Sequence, residues 1–162
     1  MTVVIDVGCA RHGGDYSIER LIEEYDPHEL YGFDPTLDVS TWPTPMPDRP
    51  VMCLRTVAAW TYDGEVGFRA DGLNSWVTEL RGAPKVPCVD LARVVREVAI
   101  PDHLDVILKL DAEGSEYDLL RHLMATETDR LLTLAVVEWH EPDRGRALIE
   151  EQFAAPIKEW PY

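Results

Sequence analysis

Apolar residues recur along this chain with two different periods, and the two alternate. Val3–Val7 is a short apolar run broken only by Asp6, the pattern of a buried strand near its end. Ser17–Tyr25 places Ile18, Leu21, Ile22 and Tyr25 at i, i+3, i+4 and i+7, which is one face of a helix. Leu30–Phe33 and Val51–Ala59 read as the second and third strands. Asp90 is placed to cap a helix whose apolar face is Leu91, Val94, Val95 and Val98. Asp105–Leu110 reads as a strand carrying Val106, Ile107, Leu108 and Leu110. Ser115–Met124 reads as a helix with Ser115 as N-cap and Asp118 three residues later, close to a capping box. A strand over Leu131–Trp139 follows. Pro142 then opens a last helix to about Phe153, because proline fits the first helical turn.

Strands alternating with helices predict an α/β domain built on an open, mostly parallel sheet. The one break in composition is Thr36–Pro50, which holds Pro43, Pro45, Pro47 and Pro50, with Pro35 just before it. Such a stretch is neither regular helix nor central strand, so it is expected as an ordered surface loop inside a single domain spanning residues 1–162. Ligands of open α/β sheets bind at the carboxyl ends of the strands, near the point where strand order reverses. The residues to read first are therefore Asp6–Asp15, Asp34, Ala58–Trp60, Lys109–Glu116 and Glu138–Glu141.

Composition narrows the partners. The chain has 162 residues, 30 acidic and 15 basic side chains, and a formal net charge of −15. A nucleic-acid surface is not expected from that balance. Cys9, Cys53 and Cys88 form no CxxC pair, which disfavours a disulfide framework or a zinc site and suits a reducing compartment. The first apolar run is too short for a signal peptide, and no stretch approaches a membrane span. The expectation is a cytoplasmic protein with no membrane partner.

The first loop, Asp6-Val7-Gly8-Cys9 through Gly13, Gly14 and Asp15, joins strand to helix. Its glycines permit a sharp turn and close approach of a ligand to the backbone. Asp34 follows the second strand, where an acid accepts hydrogen bonds from two ribose hydroxyls. Together they point to a nucleoside-type cofactor, although turn residues and a turn-capping acid account for each alone. The dinucleotide fingerprint G-x-G-x-x-G is not met, since Ala10 stands at its third position. That argues against NAD and for S-adenosylmethionine, which has no phosphate. Asp6 and Cys9 belong to the donor loop, and Ala58 and Ala59 complete the donor side.

Lys109-Leu110-Asp111-Ala112-Glu113-Gly114-Ser115-Glu116 sets three carboxylates and a lysine around one strand-to-helix turn. If the next strand is a neighbour, Glu138 and His140 join Asp111 and Glu113 in one pocket. An acid–histidine cluster either takes a proton from a hydroxyl or holds a divalent metal. The sequence does not decide between them, and no dedicated metal ligand is assigned. Lys109 either lowers a hydroxyl pKa or orients a carboxylate. Glu116 and Asp118 are accounted for by the helix dipole. The remaining histidines, His12, His28, His103 and His122, carry no assignment.

Asp6-Val7-Gly8, Tyr16-Ser17, Tyr31-Gly32-Phe33-Asp34-Pro35, Val57-Ala58-Ala59, Leu108 to Tyr117 and Val137-Glu138-Trp139-His140 occur in the order found in FkbM-type methyltransferases, which the chain resembles over roughly Val3–His140. The K-x-D-x-E-G-x-E block is the most specific part. The resemblance implies a three-layer, Rossmann-like class I fold and S-adenosyl-L-methionine as methyl donor. It also implies O-methylation of a hydroxyl on a sugar or other small-molecule acceptor. By position, Gly8, Asp34 and Asp111 look like donor-side residues. Departures are a longer first loop, the proline-rich loop in place of a helix after Asp34, and a short C-terminal edge with room for one strand. That edge is either completed by a partner subunit in a homodimer or left out. A non-catalytic nucleoside-binding protein on the same fold is the main alternative. An NAD-linked oxidoreductase is disfavoured by the glycine spacing and by the lack of a Tyr-x-x-x-Lys pair.

Overall fold

A computed structural model describes residues 1–9, 17–38, 50–71, 75–99, 105–140 and 144–160. Its main sheet has six strands, all parallel: β1 (Thr2–Val7), β2 (Glu29–Phe33), β3 (Val51–Arg55), β8 (Asp105–Leu110), β9 (Leu134–Val137) and β10 (Ile157–Glu159). Their order across the sheet is β10-β9-β8-β1-β2-β3. Chain order reverses between β1 and β8, so the switch point lies where Val7 pairs with Leu110.

Four helices accompany the sheet: α1 (Ser17–Tyr25), α2 (Leu91–Val98), α3 (Glu116–Ala125) and α4 (Arg146–Gln152). Alternate residues of the central strands feed two separate apolar clusters. Ile5, Val7, Leu108, Leu110, Ala135 and Val137 pack with α2, α3 and Ile149 of α4. Val4, Leu30, Ile107 and Val136 pack with Ile18 and Leu21 of α1 and with Trp160. Period-2 alternation thus supplies both faces of a sheet buried between helices. The α/β expectation with parallel strands holds, and among the described residues one short strand, β10, follows the last helix. Among the described residues no helix is long and apolar enough to cross a membrane.

Three expectations about the strands need correction. The strand expected over Val51–Ala59 is two strands. β2 ends at Phe33, where Asp34 and Pro35 turn the chain, so β3 has no partner beyond Arg55. The chain bends, and β4 (Ala58–Trp60) pairs in parallel with β7 (Lys85–Asp90) instead. With β5 (Gly64–Arg69) and β6 (Trp76–Val77) these form a second sheet, ordered β4-β7-β5-β6, and β5, β6 and β7 lie where no strand was expected. The strand expected over Leu131–Trp139 is shorter. A 3-10 turn occupies Thr128–Leu131, and β9 ends at Val137, opposite the last residue of β8.

Asp90 caps α2 as expected, accepting from the Ala92 N–H. Ser115 stands at the N-cap of α3 but its side chain makes no capping bond. The Glu116 carboxylate instead reaches back to hold the turn before the helix, as described below. The last helix starts at Arg146, after Gly145 in a left-handed conformation; Pro142 lies outside the described residues.

Candidate functional site

Backbone hydrogen bonds bring the strand ends into line. Gly8 N–H donates to the Phe33 carbonyl, Asp111 N–H to Val7, Glu138 N–H to Leu110 and Asp34 N–H to Arg55. The segments leaving β1, β2, β3, β8 and β9 therefore sit side by side at one end of the sheet. Gly8 has φ +80, and a β-carbon there would lie 1.8 Å from the Asp111 carbonyl oxygen. Only glycine lets the two loops at the switch point touch.

Gly8, Asp34, Ala58, Ala59 and Asp111, all read from sequence as donor-side residues, line one narrow cavity at this edge. Phe68, Ser75 and Val77 of the second sheet close it from above. Its volume is about 40 Å³, against roughly 300–1,000 Å³ for common small-molecule pockets. One oxygen of Asp34 accepts from the N–H and the hydroxyl of Thr36, both at 2.7 Å, so the carboxylate also holds the turn after β2. Gly13 and Gly14 lie outside the described residues.

Two of the residues read as donor-side, Cys9 and Asp6, do not line this cavity. Cys9 is buried under α1 with Val4, Ile18 and Leu21, away from the cavity; burial first, then the nearby Asp6 charge, pushes its thiol pKa well up. Asp6 is fully buried, accepts from the Ser17 hydroxyl at 2.9 Å and faces Lys109 at 3.2 Å.

Lys109 is likewise fully buried and lines neither this cavity nor the larger cleft described below. Its ammonium donates to the Gly8 carbonyl and to Asp111, each at 3.1 Å. Burial works to lower its pKa, but the Asp6 and Asp111 carboxylates outweigh that and hold it above the ordinary lysine value. Of the two roles read from sequence, orienting a carboxylate is the one the contacts show.

The acid–histidine cluster assembles as the strand order requires. His140 Nε2 lies 3.3 Å from Glu138, 3.6 Å from Glu113 and 3.7 Å from Asp111. Nδ1 is 2.9 Å from Glu116 Oε1. Glu116, set aside in sequence as a helix-dipole acid, is fully buried and is the anchor of the whole turn. Besides the imidazole it accepts from the Ala112 N–H at 2.8 Å and the Gly114 N–H at 2.9 Å. Since the carboxylate only accepts, Nδ1 carries the proton.

Glu113 has φ +49, a conformation that costs a non-glycine residue on the order of 1–3 kcal/mol. The turn holds it there and presents its side chain to His140. Burial raises the Glu113 pKa, His140 opposes this, and Asp111 and Glu116 add to it. Burial works to lower the His140 pKa, but the Glu116 hydrogen bond and the carboxylates around it win, pushing it up to about 9.

Beyond Glu113 opens a cleft of about 750 Å³ that the sequence did not disclose. Trp60, Trp76 and Thr78 of the second sheet form one wall, and Asp118, Arg121 and His122 of α3 the other. Arg144 closes one side, donating to the Gly114 carbonyl at 3.0 Å and pairing with Asp118 at 3.6 Å. His122 is held by Asp90 at 2.8 Å. The wall built from β4 and β6 was invisible because those strands are only three and two residues long.

No known protein family matches the chain, and neither the curated proteins nor the solved structures contain a significantly similar one.

Proposed function

We propose that the chain is an S-adenosylmethionine-dependent methyltransferase on a Rossmann-like class I fold, of the FkbM type it resembles, O-methylating a small-molecule hydroxyl. The observation that carries this reading is a junction. The Asp111–Glu113 turn separates a crevice lined by Gly8, Asp34 and Ala58 from the 750 Å³ cleft beside α3. A donor on one side and an acceptor on the other would meet at that turn.

In this reading the hydroxyl attacks the methyl carbon, the carbon–sulfur bond breaks, the sulfonium becomes a thioether, and the hydroxyl proton passes to a base. Glu113 is the base, because of Asp111, Glu113, Glu138 and His140 it alone lines the acceptor cleft. His140, ringed by carboxylates, is a cation at neutral pH and positions them. Positioning in line with the sulfonium supplies much of the rate, and the base about 10²–10⁴-fold more.

A second reading is a protein that keeps the fold and only binds a nucleoside, and it meets the same narrow crevice. Either reading requires Phe68 and Val77 to draw back from Gly8 and Asp34 before a nucleoside fits.

Titration calorimetry with S-adenosylmethionine, S-adenosylhomocysteine and NAD separates the readings. The proposal expects the first two to bind and NAD not to. Methyl transfer to a panel of sugars and other hydroxyl compounds then follows, with Glu113→Gln retaining donor affinity but losing turnover. Donor binding without transfer to any acceptor favours the second reading. Binding of NAD alone removes both.

A further inference from the structure

The same cluster carries a more specific inference. Five carboxylates, those of Asp6, Asp111, Glu113, Glu116 and Glu138, are gathered here around Lys109 and His140. Lys109 bonds Asp6 and Asp111, and His140 faces Asp111, Glu113, Glu116 and Glu138.

The spacing says what is suited to the gap. Glu113 and Asp111 stand 3.6 and 3.7 Å from Nε2, too far for a hydrogen bond. Two ligand atoms that each lie about 2.0–2.2 Å from a metal are about 3–4 Å apart. One oxygen of Asp111, one of Glu113 and one nitrogen of His140 all fall within 4.8 Å of one another.

The imidazole is also prepared in the way metal-binding histidines are. Its Nδ1–H is committed to Glu116, a fully buried carboxylate itself fixed by two backbone N–H groups. That bond sets the tautomer, aims Nε2 at the acids and raises its basicity as a ligand.

We infer that Asp111, Glu113 and Nε2 of His140 form a site for one divalent transition-metal cation such as Mn²⁺, with Glu116 as the outer partner that fixes the histidine. Two carboxylates and one imidazole match ions that prefer oxygen and accept nitrogen. The ion takes the place of any proton on Nε2, which leaves to solvent, and answers the carboxylates with twice the charge. Lowering the pKa of an acceptor hydroxyl in the adjoining cleft would be its part in catalysis. That part rests on the function proposed above; the binding does not.

The test is Mn²⁺ titration of the full chain with no donor present, followed by the loss of the free-ion magnetic resonance signal. One saturable site is expected above the weak uptake of an acidic surface. Glu113→Gln and His140→Ala should weaken it at least tenfold. Glu116→Gln should weaken it by about 10–100-fold, the range for outer partners of metal-bound histidines. Wild type and His140→Ala taking up Mn²⁺ alike would overturn the inference. Pulsed measurement on wild type alone should show nitrogen coupled to the bound Mn²⁺, and its absence overturns the inference even if every variant misfolds. An intact Mn²⁺ site in a chain that fails to bind S-adenosylmethionine removes the donor reading and leaves this one standing.

Discussion

Gly8 and Asp111 approach so closely that a single methyl group on Gly8 would lie 1.8 Å from the Asp111 carbonyl oxygen. The obstacle is backbone, anchored by the Asp111 N–H on Val7, and no rotamer change relieves it. Gly8 also occupies φ +80, which side chains resist.

Gly8→Ala is therefore expected to force β1 and β8 apart where they meet. Strain of this kind costs on the order of 1–3 kcal/mol before the clash is counted. For a chain of this size each kcal/mol lowers the melting temperature by about 2–4 °C. A scanning calorimetry midpoint unchanged from wild type would contradict the contact.

Lys109→Met should be costlier. It leaves Asp6 and Asp111 facing each other in the interior without a counter-charge. Breaking a buried pair from one side costs roughly 3–5 kcal/mol. Adding Asp6→Asn removes one of the stranded charges and should restore part of that loss. Urea melts of the two single variants and the double variant measure the coupling. Strictly additive losses would mean that the two groups do not interact.

Asp34 has two duties in this picture, and a conservative variant separates them. Asp34→Asn keeps an oxygen for Thr36 but removes the charge offered to a ribose. Stability should stay within about 0.5 kcal/mol, as for most surface changes. Affinity for S-adenosylmethionine should fall by about 1.5–3 kcal/mol for each hydrogen bond lost to a charged acceptor. Equal affinity in calorimetry would show that Asp34 only holds the turn.

Tyr31 offers a pH test away from the site. Its hydroxyl donates to Glu29 at 2.7 Å, and that bond, with burial and the Glu29 charge, pushes its pKa up to about 12. The unfolded phenol ionises near 10, roughly the free tyrosine value. Its contribution to stability is whole below pH 10 and declines as pH rises toward 12. Glu29→Gln should move the ultraviolet titration of this one tyrosine, identified by difference against Tyr31→Phe, back toward 10. No movement would mean the bond does not form.

The elements that were legible in the sequence are those whose signal is local. β1, α1, β2, α2 and β8 each show one period over a whole element, and their caps or boundary residues agree. The second sheet was hidden for physical reasons. β7 contains Pro87, β5 contains Gly67, and β6 is two residues long, so no window holds a strand pattern. The break after Arg55 depends on where β2 runs out, which the residues of β3 do not record.

The site divides in the same way. Asp111, Glu113, Glu138 and His140 could be placed together because each follows a strand, and strand neighbours were readable. Glu116 could not be told from an ordinary first-turn acid. What distinguishes it is a histidine 24 residues further on and two N–H groups in a turn that bends back over it. Trp60 and Trp76 face the cleft because the second sheet stands across it from α3, and Arg144 because it reaches Gly114 and Asp118.

The position of β8 has a consequence for how the chain acquires this structure. β8 lies between β1 and β9, pairing Thr2 with Asp105, so the innermost seam joins segments about a hundred residues apart, and such non-local seams close slowly. During synthesis β1 can zip to β2 early, but its other edge stays bare until Asp105–Leu110 has emerged. That edge carries Val3, Val4 and Ile5, buried in the finished molecule and sticky until then. The Lys109 ammonium travels on the late strand, so Asp6 waits in the half-built sheet for its partner. Assembly of the interior charge pair and closure of the sheet are one event.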